Sequence, residues 1–281
     1  MAQQTILITG ASDGIGAASA RTLAAKGHRV LIVGRSAGKT AAVARETGAE
    51  PFVADFARLD EVRALADTVK EALGGRLDVL ANNAGGIFGD RTVTPDGHEY
   101  TLQVNHLAPF LLTHLLLDEL CEAGGTVVNT SSVASRLFGH LNLDDLGNER
   151  GYTAAKAYGD AKLANILFTR GLHARFHDRG VNAMAFHPGA VATNFAADTT
   201  NLMRFLYHTP LRRLVLISAD KGGANLTWAI EGRDGVDWAS GSYYDQRTLA
   251  TRVNPQQDDD LLVDQLWERS AAMVGVPATL T

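Results

Sequence analysis

The first 33 residues alternate strand, turn, helix and strand in an order that few folds permit. The short apolar run Thr5–Thr9 has the character of a buried parallel strand and leads directly into a glycine-rich turn. A helical stretch over Ala17–Lys26 follows and stops at Gly27, and Arg29–Val33 is a second apolar run. This unit predicts an α/β fold that binds a nucleotide where the first strand meets the first helix.

The turn itself indicates how a nucleotide is held. Glycines between a strand and a helix N-terminus let backbone N–H groups approach a pyrophosphate, and the helix dipole attracts its charge. Three residues separate Gly10 from Gly14, whereas the common dinucleotide fingerprint has one, and an isolated glycine-rich segment is often only a turn. Because the flanking strand and helix are in place, we expect a dinucleotide to contact Gly10, Ser12, Asp13, Gly14, Ile15 and Gly16.

The residues after the second strand bear on which dinucleotide binds. NAD-binding chains commonly carry an acid here for the ribose 2′-OH, but this chain has Gly34-Arg35-Ser36. A guanidinium suits a phosphate, and no carboxylate stands beside it. We therefore expect NADP(H) in preference to NAD(H); the alternative is that Arg35 is a solvated loop residue.

Two Tyr-x-x-x-Lys motifs stand close together, Tyr152 with Lys156 and Tyr158 with Lys162. Side chains four residues apart share a helix face, and an ammonium there lowers the pKa of a phenol, giving a general acid/base usable near neutral pH. Either pair alone is commonly a packed tyrosine beside a solvated lysine. The second pair is favoured because Lys162 opens an amphipathic stretch to Phe176, while Tyr152 lies nearer a loop rich in Gly, Asn and Asp.

Short apolar runs and helical stretches continue to alternate without a linker. Further strands are predicted at Pro51–Ala54, Leu77–Ala81, Gly125–Asn129, Val181–Phe186 and Gly241–Tyr244. Helices are predicted at Arg58–Leu73, His98–Leu120, Ala219–Glu231 and Gln256–Val274. This order predicts an α/β fold: a single domain over residues 1–281, a Rossmann-like doubly wound parallel sheet of about seven strands with helices on both faces.

These motifs together resemble the short-chain dehydrogenase/reductase family of the single-domain type. The stretch Thr9–Gly16 is similar to its cofactor turn, Asn82–Gly85 to the motif that steadies the sheet, and His187–Gly189 to the segment that closes over the nicotinamide. The resemblance implies further cofactor contacts from Asp55, Phe56, Asn83, Ala84, Gly85, Pro188, Gly189, Val191 and Thr193.

The resemblance also implies the catalytic residues. Asn105 matches the family's relay asparagine, and the strand ending in Ser131-Ser132 matches the one that carries the catalytic serine, with spacing favouring Ser132. The sequence from Lys162 to Arg170 is similar to the retinol-dehydrogenase-like and carbonyl-reductase branch, which also has a long segment between its serine and tyrosine. Tyr158 and Lys162 are therefore chosen over the first pair, which is assigned to the helix entry or pocket rim.

The implied function is an NADP(H)-dependent oxidoreductase that transfers a hydride between the nicotinamide and a carbonyl or alcohol. An apolar segment over residues 194–218 is expected to cover the substrate, which favours a hydrophobic one, although such clusters serve packing equally often. One alternative is an inactive NADP(H)-binding regulatory or scaffold protein. Epimerisation or dehydration on the same fold is less favoured, because the longer C-terminal region of the extended relatives is lacking.

Composition and charge limit the kinds of partner that are expected for this protein. The net charge is -5 with no basic run, so nucleic acid is not expected, and the single cysteine, Cys121, excludes an intrachain disulfide. No apolar stretch reaches the roughly 18 residues needed to span a membrane, so no membrane anchor and a cytoplasmic location are expected. His140 and His187 lack partners at ligand spacing, so no metal is expected. The resemblance implies a homodimer or homotetramer through the helices around Asn105–Leu120 and Tyr158–Phe176.

Overall fold

A mixed sheet of eight strands organises the computed structural model, which describes residues 2–189 and 218–279. The strands are β1 Thr5–Thr9, β2 Arg29–Gly34, β3 Glu50–Val53, β4 Val79–Asn82, β5 Thr126–Thr130, β6 Asn182–His187, β7 Tyr243–Asp245 and β8 Thr248–Leu249. Their order is β3-β2-β1-β4-β5-β6-β7-β8, and all neighbours are parallel except β7 and β8. The predicted fold class is confirmed, and the two-residue β8 is the strand beyond the seven expected.

Helices cover both faces of the sheet. They are α1 Gly14–Ala25, α2 Ala37–Thr47, α3 Leu59–Leu73, α4 Tyr100–Leu102, α5 Ala108–Leu115, α6 Leu117–Ala123, α7 Ala134–Leu137, α8 Ala154–Phe176, α9 Ala219–Glu231 and α10 Asp260–Val274. Apolar side chains of α1, α2 and α9 fill one core, and those of α3, α5, α6, α8 and α10 fill the other. Both faces of β1, β4 and β5 are therefore buried, as their near-continuous apolar sequences predict.

The predicted single helix over residues 98–120 is divided into segments. Glu99 caps α4, a π-helical turn spans Gln103–Leu107, and the chain bends again at Leu116. Proline supplies the physical reason for the first break. Pro109 has no N–H to donate to the carbonyl of Asn105, four residues earlier, so the regular α-helical bond is lost there.

Other boundaries moved for identifiable reasons. Helix α1 begins at Gly14 rather than Ala17, because the carboxylate of Asp13 accepts the Gly14 N–H and caps the helix there. Helix α8 begins at Ala154, with Thr153 as its cap, so the second Tyr-Lys pair lies well inside it. Helix α2 was not predicted from the sequence, because its alanine-rich residues do not separate clearly into an apolar and a polar face.

The C-terminal helix α10 packs over the sheet-distant side of α5 and α8. The Trp267 ring lies 5.0 Å from the Phe110 ring on α5 and 5.8 Å from the Phe168 ring on α8, measured between centroids. Trp267 is 4% exposed, and both phenylalanines are buried. The two helices that the family resemblance assigns to subunit contact are thus covered within this chain.

Candidate active site

The carboxyl ends of β1, β2, β3 and β4 lie side by side and carry the predicted cofactor contacts. Gly10 has φ of +65°, and a Cβ there would lie 2.7 Å from the Cα of Ala84, so only glycine fits this turn. The Thr9 hydroxyl accepts the N–H groups of Asn83 and Ala84, both at 3.0 Å. The Asn83 amide donates back to the Thr9 carbonyl at 3.0 Å. The glycine-rich turn and the end of β4 therefore form one rigid unit.

The N-terminus of α1 opens onto this unit. At Gly16 a Cβ would lie 2.5 Å from the Gly10 carbonyl oxygen, so the helix packs tightly against the turn, with Ser12 and Ile15 beside it. Asp13 is an exposed carboxylate whose pKa is lowered, first by the Gly14 N–H and then by Lys39. The Lys39 ammonium lies 3.1 Å from the Asp13 carboxylate and offsets a charge that would otherwise repel a pyrophosphate.

Arg35 follows β2 directly and is exposed beside the N-terminus of α2. Its guanidinium donates to the Tyr100 hydroxyl at 3.3 Å and, within residues 2–189 and 218–279, pairs with no carboxylate. Ser36 caps α2 by accepting the Lys39 N–H. An unpaired guanidinium, a nearby ammonium and a helix N-terminus together make this end of the cradle suitable for a phosphate.

Asp55 and Phe56 form the neighbouring wall after β3. The Asp55 carboxylate accepts the Ala57 N–H at 3.0 Å, which closes the turn, and its own N–H donates to Glu61 at 2.8 Å. The Phe56 ring is 5% exposed, and its carbonyl accepts from Gln103 at 3.3 Å. The backbone here is thus anchored to the segment that contains Asn105.

Gly85 marks where the cradle meets the predicted catalytic residues. A Cβ at this position would lie 2.3 Å from the Asn105 amide oxygen and 3.2 Å from the Lys162 ammonium. Glycine therefore lets the backbone after β4 approach Asn105 and Lys162 more closely than any other residue could. Backbone donors at a helix N-terminus, cations beyond β2 and a close backbone approach at Gly85 are features that suit a nicotinamide dinucleotide, so the residues present fit such a group.

Tyr158 and Lys162 lie side by side in α8. The tyrosine is 6% exposed, and the lysine nitrogen is 5.5 Å from the centroid of its ring. This nitrogen donates to the Thr130 carbonyl at 3.1 Å, and no carboxylate of the described segments pairs with it. Burial lowers the pKa of Lys162 to about 7. A lysine in this range changes protonation state near neutral pH, as a proton-handling group must.

The two serines after β5 have different surroundings. The Ser131 hydroxyl is buried and donates to the Lys162 carbonyl at 2.7 Å, which fixes the strand to α8. Ser132 is half-buried, and its hydroxyl accepts the Ala134 N–H at 3.2 Å where α7 begins. A half-open hydroxyl suits contact with a substrate, whereas the Ser131 hydroxyl is committed to the protein.

Asn105 is fully buried within the π-helical turn, and its amide is occupied by backbone groups. It accepts the Gly86 N–H at 3.1 Å and donates to the carbonyls of Gly86 and Thr101, both at 2.9 Å. The side chain therefore holds the segment after β4 against α4. Pro109 has no N–H, so the Asn105 carbonyl lacks its regular α-helical donor.

The first Tyr-Lys pair is used in packing. Lys156 donates to Asp160 at 2.5 Å and to Asn148 at 2.6 Å, so its partner four residues away is the carboxylate rather than Tyr152. Tyr152 precedes the helix, and burial raises the pKa of its phenol. A raised pKa opposes the phenolate that general acid/base chemistry needs.

The predicted nicotinamide segment is described as far as Gly189. The Pro188 carbonyl accepts the side-chain N–H of Asn225, a buried residue of α9, at 3.0 Å. Asn225 in turn accepts from Arg247 at 2.9 Å. Val191, Thr193 and the predicted substrate-covering segment up to residue 217 lie outside the described residues.

Sequence reasoning missed Lys39 and Asn225. Lys39 stands in the first turn of α2, and its position beside Asp13 would have been visible had that helix been predicted from its Ser36 cap. No local signal marks Asn225, because its partner is 37 residues earlier in the chain. Over the described part of the chain, no cluster of three or more metal-type ligands occurs, and no helix has the length and apolarity to cross a bilayer.

Comparison with known proteins agrees with these features. The model of the family described as short chain dehydrogenase matches residues 4–203. A protein of Streptomyces sp. strain C5 that carries the name of a daunorubicin C-13 ketoreductase is 42% identical over 279 residues, covering 97% of this chain and 93% of that one. Retinol dehydrogenase 11 of Mus musculus is 36% identical, covering 96% and 86%. The solved structure of a metagenomic short-chain oxidoreductase in complex with NADP has a TM-score of 0.62 and 28% identity, covering 84% and 94%. The resemblance inferred from the sequence is thereby confirmed.

Proposed function

Because this chain belongs to the short-chain dehydrogenase family of nicotinamide-dependent oxidoreductases, we propose that it interconverts a carbonyl and an alcohol of a bulky hydrophobic substrate with NADP(H). The observation that carries the proposal is the buried pair Tyr158 and Lys162, which lies beside Ser132 at the carboxyl end of β5. A binding protein without turnover has no need of an uncompensated buried lysine against a tyrosine ring.

Each residue has a defined task in carbonyl reduction. Tyr158 donates its phenolic proton to the carbonyl oxygen, and Ser132 donates a hydrogen bond to that oxygen as negative charge develops. The nicotinamide, when bound, supplies the hydride. Lys162 stabilises the phenolate and returns a proton to it. Alcohol oxidation uses the same groups in reverse.

Lys162 needs a route to solvent for its proton. The Asn105 carbonyl has lost its regular helical partner because of Pro109, and the Asn105 side chain lies close to the Lys162 nitrogen across Gly85. A water on that carbonyl would connect the lysine to the outside. The π-helical turn that contains Asn105 is thus the segment we assign to this proton route.

The preference for NADP(H) is attributed to the cations beyond β2. Arg35 would contact the 2′-phosphate, and Lys39 stands one turn further along the same helix N-terminus. Asp55, Asn83, Ala84 and Gly85 would line the adenosine and ribose. Pro188 and Gly189, with Val191 and Thr193 beyond them, would contact the nicotinamide.

The substrate class is inferred from apolar surface near Tyr158. Ile87 and Ala134 pack against the tyrosine, and Leu137 and Phe138 at the C-terminal end of α7 are 54% and 51% exposed. Apolar exposure at the mouth of a site favours a hydrophobic ligand. Two relatives carry the names of a daunorubicin C-13 ketoreductase and a retinol dehydrogenase. We assign the segment 194–218 to covering such a substrate within one catalytic domain.

The direct test follows NADPH oxidation by its absorbance with a panel of hydrophobic ketones and aldehydes, with NADH in parallel. Tyr158→Phe should retain NADPH binding and lose at least about 100-fold in kcat. Tyr152→Phe is the matched control and should stay within about threefold of the parent. The assignment fails if the Tyr158 variant keeps its rate. Binding of NADPH with no turnover on any compound would favour the regulatory alternative.

A further inference from the structure

A buried histidine next to Asn105 has no task in the proposed reaction. His106 lies in the π-helical turn and is 1% exposed. Its Nε2 is 2.8 Å from the Ser270 hydroxyl on α10, and its Nδ1 is 3.3 Å from the Asn165 amide oxygen on α8. Burial lowers the pKa of His106 to about 4, and Lys162 is the charged group that acts on it. The ring is therefore neutral at physiological pH.

The hydrogen bond between Asn165 and Thr130 determines which group donates in each of the others. The Asn165 side-chain nitrogen donates to the Thr130 carbonyl at 3.2 Å, so its amide oxygen faces His106 and must accept. The Nδ1 atom of His106 then carries the proton, and Nε2 accepts from Ser270. The bonds run one way, from Ser270 through His106 and Asn165 to Thr130.

The Thr130 carbonyl is also the acceptor of Lys162, at 3.1 Å. Two donors, the lysine nitrogen and the Asn165 amide, therefore share one oxygen. If the Asn165 amide were reversed, its oxygen would face the Thr130 carbonyl, and that carbonyl would no longer divide its acceptor strength between the amide and Lys162. The orientation of this amide thus controls how well the lysine ammonium is stabilised.

We propose that His106 is a positioning residue for Lys162, acting through Asn165 and held in its tautomer by Ser270 on α10. The neutral imidazole fixes the Asn165 amide as a donor, and the amide then shares the Thr130 carbonyl with the lysine. The effect on turnover rests on the proposed function, but the positioning itself does not require a substrate.

The test is an NMR titration of the Lys162 side chain with lysine labelled at the ε-carbon. The chain has few lysines, which simplifies the spectrum, and Lys162→Arg assigns the signal: the lysines are Lys26, Lys39, Lys70, Lys156, Lys162 and Lys221. We expect His106→Phe and Ser270→Ala to raise the pKa of Lys162 by about half a unit or more, toward its ordinary range, because the amide is then free to turn.

Two variants serve as references. His106→Asn should stay close to the parent, because its amide N–H can replace the Nδ1 donor to Asn165. Ser19→Ala removes a buried hydroxyl that lies 2.9 Å from Thr227 between α1 and α9, away from Lys162. It should leave the titration of Lys162 unchanged.

An identical Lys162 titration in the parent, His106→Phe and Ser270→Ala would overturn the proposal, even if activity falls, because packing alone would explain the loss. Ser270→Ala removes a single oxygen and carries the test if His106→Phe does not fold. If the parent is active, His106→Phe and Ser270→Ala should each lower kcat about tenfold and retain NADPH affinity. This is a loss of ~1.4 kcal/mol in transition-state stabilisation. An inactive parent with the expected titration would refute the proposed function and leave the positioning intact.

Discussion

At the scale of single residues, Lys162 has the environment least suited to its charge. Its side chain is enclosed by α8, β5 and the Asn105 segment, and its hydrogen bond goes to a carbonyl rather than a carboxylate. Desolvation brings its pKa from 10.5 to about 7. Such a group lowers the stability of the fold whenever the unfolded chain would be protonated and the native one is not.

Stability should therefore depend on pH through this one side chain. Between about pH 7 and 10.5 the unfolded chain binds a proton at Lys162 that the native chain does not, so the lysine's contribution to stability improves as pH rises. Lys162→Met should be more stable than the parent at pH 7, and this advantage should shrink toward pH 10. Urea unfolding of both proteins at several pH values measures it. A constant difference across the range would contradict the assignment of the pKa.

Arg35 is the residue on which cofactor choice should depend. Arg35→Asp should raise the Kd for NADPH at least about tenfold and leave that for NADH unchanged or lower, because a carboxylate repels the 2′-phosphate and accepts a ribose hydroxyl. Arg45→Asp, the same exchange at the exposed far end of α2, is the control. Fluorescence titrations with both cofactors decide, and equal losses in the two variants would remove Arg35 from the site.

At the scale of elements, a buried carboxylate fixes the long segment between Ser132 and Tyr158 to α8. Asp160 is 3% exposed and accepts the His140 N–H at 2.6 Å, the Asn148 amide at 3.0 Å and the Lys156 ammonium at 2.5 Å. One side chain thus anchors the segment at His140 and Asn148 to the start of α8.

Asp160→Asn should consequently destabilise the protein by about 2–4 kcal/mol, because a half-buried ammonium and two further donors lose the buried charge that they share. Asp264→Asn is the matched control. Its carboxylate pairs with Arg175 at 2.8 Å but is 61% exposed, and its loss should be under about 1 kcal/mol. Denaturant unfolding measures both, and a similar small effect for the two variants would show that the Asp160 cluster is not energetically important.

Elements also show what the sequence could and could not predict. Buried strands such as β1 and β2 were predicted within a residue of their ends, because an apolar run bounded by glycine has few other structures. The break at Pro109 was visible in the sequence, but the surrounding apolar pattern outweighed it. Contacts such as Asn225 to Pro188 join distant parts of the chain and leave no local pattern. The Tyr158 and Lys162 pair could be proposed from the sequence because residues four apart share one face of a helix.

At the scale of the whole molecule, α10 changes what the shared fold can do. It covers α5 and α8 with an aromatic cluster centred on Trp267, and Phe176 joins this cluster at 5.9 Å. The sequence resemblance implied subunit contact through these helices, an expectation that no observation tests. The apolar side chains of α5 and α8 that face α10 are buried within the chain.

We therefore expect a monomer of 30.0 kDa in solution rather than the dimer or tetramer implied by resemblance. Light scattering after size exclusion measures the mass over a range of concentrations. Trp267→Ala should destabilise the protein by about 3–5 kcal/mol and expose the α5–α8 surface, which favours association. A parent dimer would show that subunits meet through a different surface or that α10 is displaced.

The same helix has a consequence for biosynthesis. The ends of α5 and α8, Leu115 and Phe176, leave the ribosome 145 and 84 residues before Asp260, the first residue of α10. Both helices must remain uncovered until α10 is made. At a synthesis rate of about 5–20 residues per second, that interval lasts several seconds, long enough for exposed aromatic surface to meet other nascent chains. Productive folding of this protein in a cell should therefore depend on a chaperone that shields one hydrophobic face during elongation, even though the finished molecule leaves that face fully buried.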